Sequence, residues 1–198
     1  MTTRVIVPHR GLDASKSRLS PVLSPDERGD LAAHLLRRVL RIARQAVPDV
    51  VVISPSADLG ELIEASGARF LVQRGMGLNA GLDQARDVAV AEGMETLLVL
   101  HGDLPELDVP DVQALIAAVP DEGGVAIAPD RGGSGTNGLA LRPPAAIPFR
   151  FGIDSFSAHQ EAARSASVPL AIVRRPGLAF DLDTPDDLSE WLRSGVLA

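Results

Sequence analysis

Thr96-Leu97-Leu98-Val99-Leu100-His101-Gly102-Asp103-Leu104-Pro105 sets four consecutive aliphatic residues ahead of a turn that carries a carboxylate. A run this short and this continuously apolar reads as a strand buried on both faces, which puts Asp103 at the strand's carboxyl end. Working outward, similar runs recur at 4–8, 49–54, 68–73, 125–129, 138–142 and 170–174, most of them apolar on both faces. Between the runs, 25–46, 57–66, 78–92, 110–119, 156–166 and 185–194 carry helical spacing. The alternation predicts βαβ units, and so an α/β three-layer sandwich around a mostly parallel sheet. In such a sheet small ligands sit beyond the carboxyl ends of the strands.

A chain of 198 residues with 45% hydrophobic content suffices for one core, so 1–198 is read as a single domain. The net charge of -7 repels nucleic acid and anionic membrane surfaces, and neither is expected as a partner. Met1-Thr2-Thr3-Arg4-Val5-Ile6-Val7-Pro8 lacks the apolar stretch of a signal peptide and no spanning segment follows, which predicts a cytoplasmic protein. With no cysteine, any metal must be held by oxygen or imidazole. Two helix starts are marked by their end chemistry: Ser24-Pro25-Asp26-Glu27 and Thr184-Pro185-Asp186-Asp187.

Asp103 at a strand end, facing a bound nucleotide, would be a natural magnesium ligand, although the same residue could simply open a turn before Pro105. In Phe180-Asp181-Leu182-Asp183-Thr184-Pro185 an extended backbone would point Asp181 and Asp183 the same way, and carboxylates that close repel unless a cation lies between them. An acidic approach to a helix dipole is the plainer account, and it suffices for Asp186 and Asp187. The first loop, Pro8 to Leu19, gathers Arg10, Lys16 and Arg18 against one acid and could cradle a triphosphate, or be a solvated basic loop. It is not a Walker loop. Gly75-Met76-Gly77-Leu78-Asn79-Ala80 matches a dinucleotide fingerprint only superficially, since two strands precede it. Its glycine turn would let backbone amides approach a base or ribose, with Asn79 adding an amide side chain. Ala128 to Gly138 and Phe151-Gly152-Ile153-Asp154-Ser155-Phe156 resemble anion nests, with Thr136 and Ser155 as hydroxyl donors and Ser155 capping the following helix. A hairpin loop and an ordinary cap are the alternatives.

Taken in order, Pro8 to Leu19, Gly77-Leu78-Asn79-Ala80, Asp103-Leu104-Pro105, Ala128-Pro129-Asp130-Arg131 through Gly135-Thr136-Asn137, Phe151-Gly152 with Ser155-Phe156, and Asp181 to Pro185 are similar to the guanylyltransferases of coenzyme F(420) biosynthesis. Those act on 2-phospho-L-lactate or phosphoenolpyruvate, and the resemblance spans nearly the whole chain. It implies a nucleotide-diphospho-sugar-transferase-like, Rossmann-like domain that moves GMP from GTP to a small phosphorylated acid. It further implies two magnesium ions on Asp103, Asp181 and Asp183, acceptor phosphate on Thr136, Gly152 and Ser155, and Lys16 near the GTP phosphates. Two stretches depart from the family: Pro8-His9-Arg10 stands where Pro-Val-Lys is common, and His101-Gly102 where Pro-Ala is. The acceptor stays open among 2-phospho-L-lactate, phosphoenolpyruvate and 3-phosphoglycerate. A molybdenum-cofactor or sugar-phosphate nucleotidyltransferase would usually open with an Ala-Gly-Gly loop, and a nicotinamide-dependent oxidoreductase would rest on Gly75-Met76-Gly77 alone.

Overall fold

The computed structural model describes residues 2–12 and 15–194. Its strands are β1 (Thr3–Pro8), β2 (Asp49–Ser54), β3 (Arg69–Val72), β4 (Thr96–Leu100), β5 (Gly124–Pro129), β6 (Thr136–Arg142) and β7 (Leu170–Ile172). The helices are α1 (Pro25–Ala46), α2 (Gly60–Ser66), α3 (Leu78–Ala91), α4 (Val109–Ala117), α5 (Ser155–Ser165), α6 (Pro176–Ala179) and α7 (Pro185–Arg193). The described strands form one seven-stranded sheet ordered β3-β2-β1-β4-β6-β5-β7. Only β6 runs against its neighbours. Its reversal follows from the short β5–β6 connection, because antiparallel strands can be joined by a tight loop where parallel ones cannot. The consequence is that the carboxyl ends of β1, β2, β4 and β5 and the amino end of β6 share one edge.

Helices cover both faces, as the continuous apolar runs demand. Val5, Val7, Leu98 and Leu100 pack with α1, α2 and α4 on one side. Ile6, Leu97 and Val99 pack with α3 and α5 on the other. Each such buried side chain contributes about 1.5–3 kcal/mol of transfer free energy. The edge strands β3 and β7 are only half-buried, since each has a neighbour on one side alone. Both expected capping boxes form, at Ser24 with Glu27 and at Thr184 with Asp187. A third, Asp108 with Asp111, starts α4. A smaller apolar cluster of Leu19, Leu35, Phe180, Leu182 and Trp191 seals the sheet edge where the first loop and the C-terminal segment meet. No described helix is long and apolar enough to cross a membrane.

Candidate active site

Asp103 follows β4 by three residues. Its backbone carbonyl accepts from Leu182 N–H at 3.1 Å, and this single bond brings the Asp181–Asp183 segment alongside. Leu182 is fully buried in the small apolar cluster, which fixes how the segment lies and leaves its flanking aspartates to the site. Asn137, at the amino end of β6, donates to Asp181 Oδ1 at 3.1 Å. The Asp183 amide donates to Asp187 Oδ2 at 3.1 Å. Asp187 is therefore more than a helix-dipole charge, which corrects the sequence reading: it is buried, takes both the amide and the hydroxyl of Thr184, and pairs with Arg131 from the β5–β6 loop.

Lys16 reaches the same point from the first loop. Its ammonium lies 2.7 Å from Asp103 Oδ2 and 3.1 Å from Asp183 Oδ1, and its side chain is 5% exposed. Burial pulls the Lys16 pKa down, but the two carboxylates outweigh it and hold the group above the ordinary lysine value. Burial likewise pushes Asp103 up, while Lys16, with His101 and His9 beside it, more than compensates and leaves the carboxyl below the usual range. Among the described residues Asp181 makes no ion pair, although the Arg131 charge lies near enough to feel it. Burial raises it first, the Asn137 amide opposes, and the like charges of Asp103 and Asp183 add to the rise. Arg18 stands 3.6 Å from Asp183 Oδ2 and is largely exposed.

Lys16, Arg18, Asp103 and Asp183 face a cleft of about 660 Å³ that Arg10 and Gly77 also line. The basic loop, the glycine turn and two of the three carboxylates thus share one cavity. Asp13 and Ala14 of that loop lie outside the described residues. Lys16 and Gly77 both have positive φ, of 55° and 87°. At Gly77 this left-handed turn leads the chain from β3 into α3. Asn79 is a correction: its amide oxygen accepts from Phe151 N–H and its amide nitrogen donates to Phe151 O, each at 2.9 Å. Its side chain clamps the 151–152 turn and does not reach out for a base.

Thr136, Gly152 and Ser155 gather at a neighbouring corner, outside the lining of that cleft. Ser155 does not cap α5; it is the helix's first residue, and Asp154 precedes it in the left-handed conformation without a side-chain cap. Gly152 has φ +138°, which a side chain would resist. Behind the three stands buried His159, 3.1 Å from Thr136 Oγ1, with its ring 4.8 Å from that of Phe151. Sequence reading passed over His159, although its position four residues after Ser155 on one helix face was a usable signal.

The donor set suits a hard divalent cation. Asp103 Oδ1 is buried without a hydrogen-bond partner among the described residues, and the carboxylates of Asp103 and Asp183 lie close enough to Asp181 to raise it. Among the described residues no three acidic or histidine side chains already surround one point, and the Lys16 ammonium takes the bridging place between Asp103 and Asp183.

The sheet order and this edge site define a nucleotidyltransferase-type α/β domain. A crystal structure from Desulfovibrio desulfuricans G20, assigned provisionally as a nucleotide-diphospho-sugar transferase, shares the fold with a TM-score of 0.81 at 22% identity over 98% of this chain and 88% of its own. Residues 3–196 match the family model described as guanylyl transferase CofC like, and the chain belongs to that family. Phosphoenolpyruvate guanylyltransferase of Sphaerobacter thermophilus is 47% identical over 96% of this chain and 92% of its own. For 2-phospho-L-lactate guanylyltransferase of Methanothermobacter thermautotrophicus the identity is 35%, over 98% and 86%.

Proposed function

We propose that this chain transfers the guanylyl group of GTP to the phosphate of a small phosphorylated carboxylic acid, with phosphoenolpyruvate the preferred acceptor. The observation that carries the reading is the meeting of Asp103, Asp181 and Asp183 with Lys16 beside a cleft at the ligand-binding edge of the sheet. The higher identity to the phosphoenolpyruvate enzyme favours that acid over 2-phospho-L-lactate. Arg10, Lys16 and Arg18 neutralise the triphosphate, and the turn at Gly77 offers backbone amides to the nucleoside. Thr136, Gly152 and Ser155 bind the acceptor phosphate. That phosphate has a second pKa of ~6 and is already a dianion at neutral pH, so no side chain has to deprotonate it. One of its oxygens attacks the α-phosphorus of GTP, the new P–O bond forms as the bond to pyrophosphate breaks, and pyrophosphate leaves. Asp103, Asp181 and Asp183 would hold magnesium, two ions in the family's pattern, whose contribution is to neutralise the charge built up between the two anions.

Pyrophosphate release tests this, with GTP and magnesium against phosphoenolpyruvate, 2-phospho-L-lactate and 3-phospho-D-glycerate, and again with ATP and CTP. Release is expected with GTP, fastest with phosphoenolpyruvate, and Asp183→Asn should lower it by at least ~100-fold without loss of cooperative melting. Wild-type turnover in Asp183→Asn would remove that carboxylate from the chemistry.

A further inference from the structure

His159 is a buried titratable group that the GTP side of the site does not use. Both of its ring nitrogens engage polar groups of the acceptor corner. Nε2 lies 2.9 Å from the Arg150 backbone nitrogen. A backbone N–H can only donate, so Nε2 carries the lone pair. Burial holds the ring neutral, pushing its pKa down to about 4, with the Ser155 backbone opposing and the positive sides of Arg150 and His101 assisting. A neutral ring that accepts at Nε2 has its proton on Nδ1. Nδ1 is the nitrogen beside Thr136 Oγ1. The threonine oxygen is thus the acceptor in that bond, and the hydroxyl keeps its own proton for another partner.

We propose that His159 is a positioning residue of the acceptor subsite, whose fixed tautomer makes Thr136 a hydrogen-bond donor to the phosphate of the acid. The inference rests on the reading in which Thr136, Gly152 and Ser155 bind that phosphate. The reverse tautomer would spend the threonine proton on the ring and present only lone pairs to a dianion, which repels it. The same ring also braces the turn: Nε2 accepts from the Arg150 backbone N–H, and the Phe151 ring packs edge-on against it while Asn79 grips the Phe151 backbone. Thr136 on β6 and the 151–152 turn ahead of α5 are held in one register by a single imidazole.

Two substitutions separate donor from acceptor. His159→Gln can still accept from Arg150 N–H but places no donor beside Thr136, whereas His159→Asn can put an N–H close to where Nδ1 stands. Steady-state kinetics would use GTP, magnesium and whichever of the three acids the wild type turns over fastest. A hydrogen bond to a charged group is worth about 10- to 100-fold, so the acid KM of His159→Gln should rise by that factor while its GTP KM stays within about 2-fold. Thr136→Val should behave alike, and adding His159→Gln to it should change the acid KM by less than about 2-fold, because both remove one bond. His159→Asn should return the acid KM to near the wild-type value, and it decides alone if His159→Gln fails to melt cooperatively. A raised acid KM in Thr136→Val with an unchanged one in His159→Gln overturns this inference and spares the subsite. So do independent, multiplying effects, or an acid KM in His159→Asn as high as in Thr136→Val. An unchanged acid KM in Thr136→Val itself removes the subsite, and this inference with it.

Discussion

The Lys16 ammonium lies 2.7 Å from Asp103 Oδ2, and the same nitrogen is shared with Asp183 at 3.1 Å. A lysine therefore occupies the bridging position for which the sequence invited a divalent ion. A divalent ion bound there would draw on the same carboxylate oxygens as the ammonium.

Lys16→Met keeps most of the length of the side chain and removes its charge. Breaking a fully buried pair costs about 3–5 kcal/mol, and Asp103 is partly exposed, so a loss of about 1–3 kcal/mol is expected. For a domain of this size that lowers the melting temperature by about 3–10 °C. Magnesium should then stabilise the variant more than it does the wild type, since it no longer competes with the ammonium. Thermal melts with magnesium and with a chelator check this, and equal magnesium shifts in the two proteins would show that the cations do not share ligands.

Asp186 and Asp187 look equivalent in sequence and are not equivalent in the fold. Asp187 holds the Asp183 amide, closes the Thr184 cap and pairs with Arg131, while Asp186 is exposed. Asp187→Ala should cost about 2 kcal/mol and lower turnover at least ~10-fold by loosening Asp183. Asp186→Ala should stay within about 0.5 kcal/mol of wild type. Denaturant unfolding and pyrophosphate release on the pair would separate the two roles.

The legible part of the site was the part written in periodicity. Thr96–Leu100 placed Asp103 at a strand end, and buried Leu182 between Asp181 and Asp183 is the alternation the sequence suggested, held in irregular backbone instead of a strand. The capping boxes at Ser24 and Thr184 were readable because their chemistry is local. What escaped depends on contacts between distant residues or on backbone choices too local to leave a period. Asn79 has its partner 72 residues away, and nothing near it in sequence says that its amide is engaged. Ser155 looked like a cap, but Asp154 takes the left-handed turn and moves the helix start by one residue. The four residues of α6 are too few to show a helical period.

Asn79→Ala removes both hydrogen bonds that tie the start of α3 to the 151–152 turn. The Phe151 amide and carbonyl are then left to find other partners, at a cost of about 1–3 kcal/mol. On the proposed reading, in which the 151–152 turn binds the acceptor, the acid KM should rise more than the GTP KM. Unchanged KM values for both substrates, with stability lost, would make the clamp purely structural.

His159 also makes a prediction about pH. Its folded pKa is about 4 against an ordinary value of 6.5. Between those limits the unfolded chain carries a proton that the folded chain excludes, so stability rises with pH through this window and is fully present above about 6.5. Acidification from 6.5 towards 4 should remove it, with a slope of at most about 1.4 kcal/mol per pH unit. Other groups titrate there too. Asp181, raised in the fold, favours the folded state as pH falls, and Asp103, lowered, disfavours it. Both are common to wild type and His159→Gln, so the difference between the two unfolding free energies isolates the imidazole. Guanidinium titrations of both proteins at pH 4.5, 5.5, 6.5 and 7.5 should show a difference that varies up to pH 6.5 and is level beyond it. A difference constant over the whole range would mean that His159 titrates normally in the fold, and that the neutral ring on which Thr136 depends is not enforced.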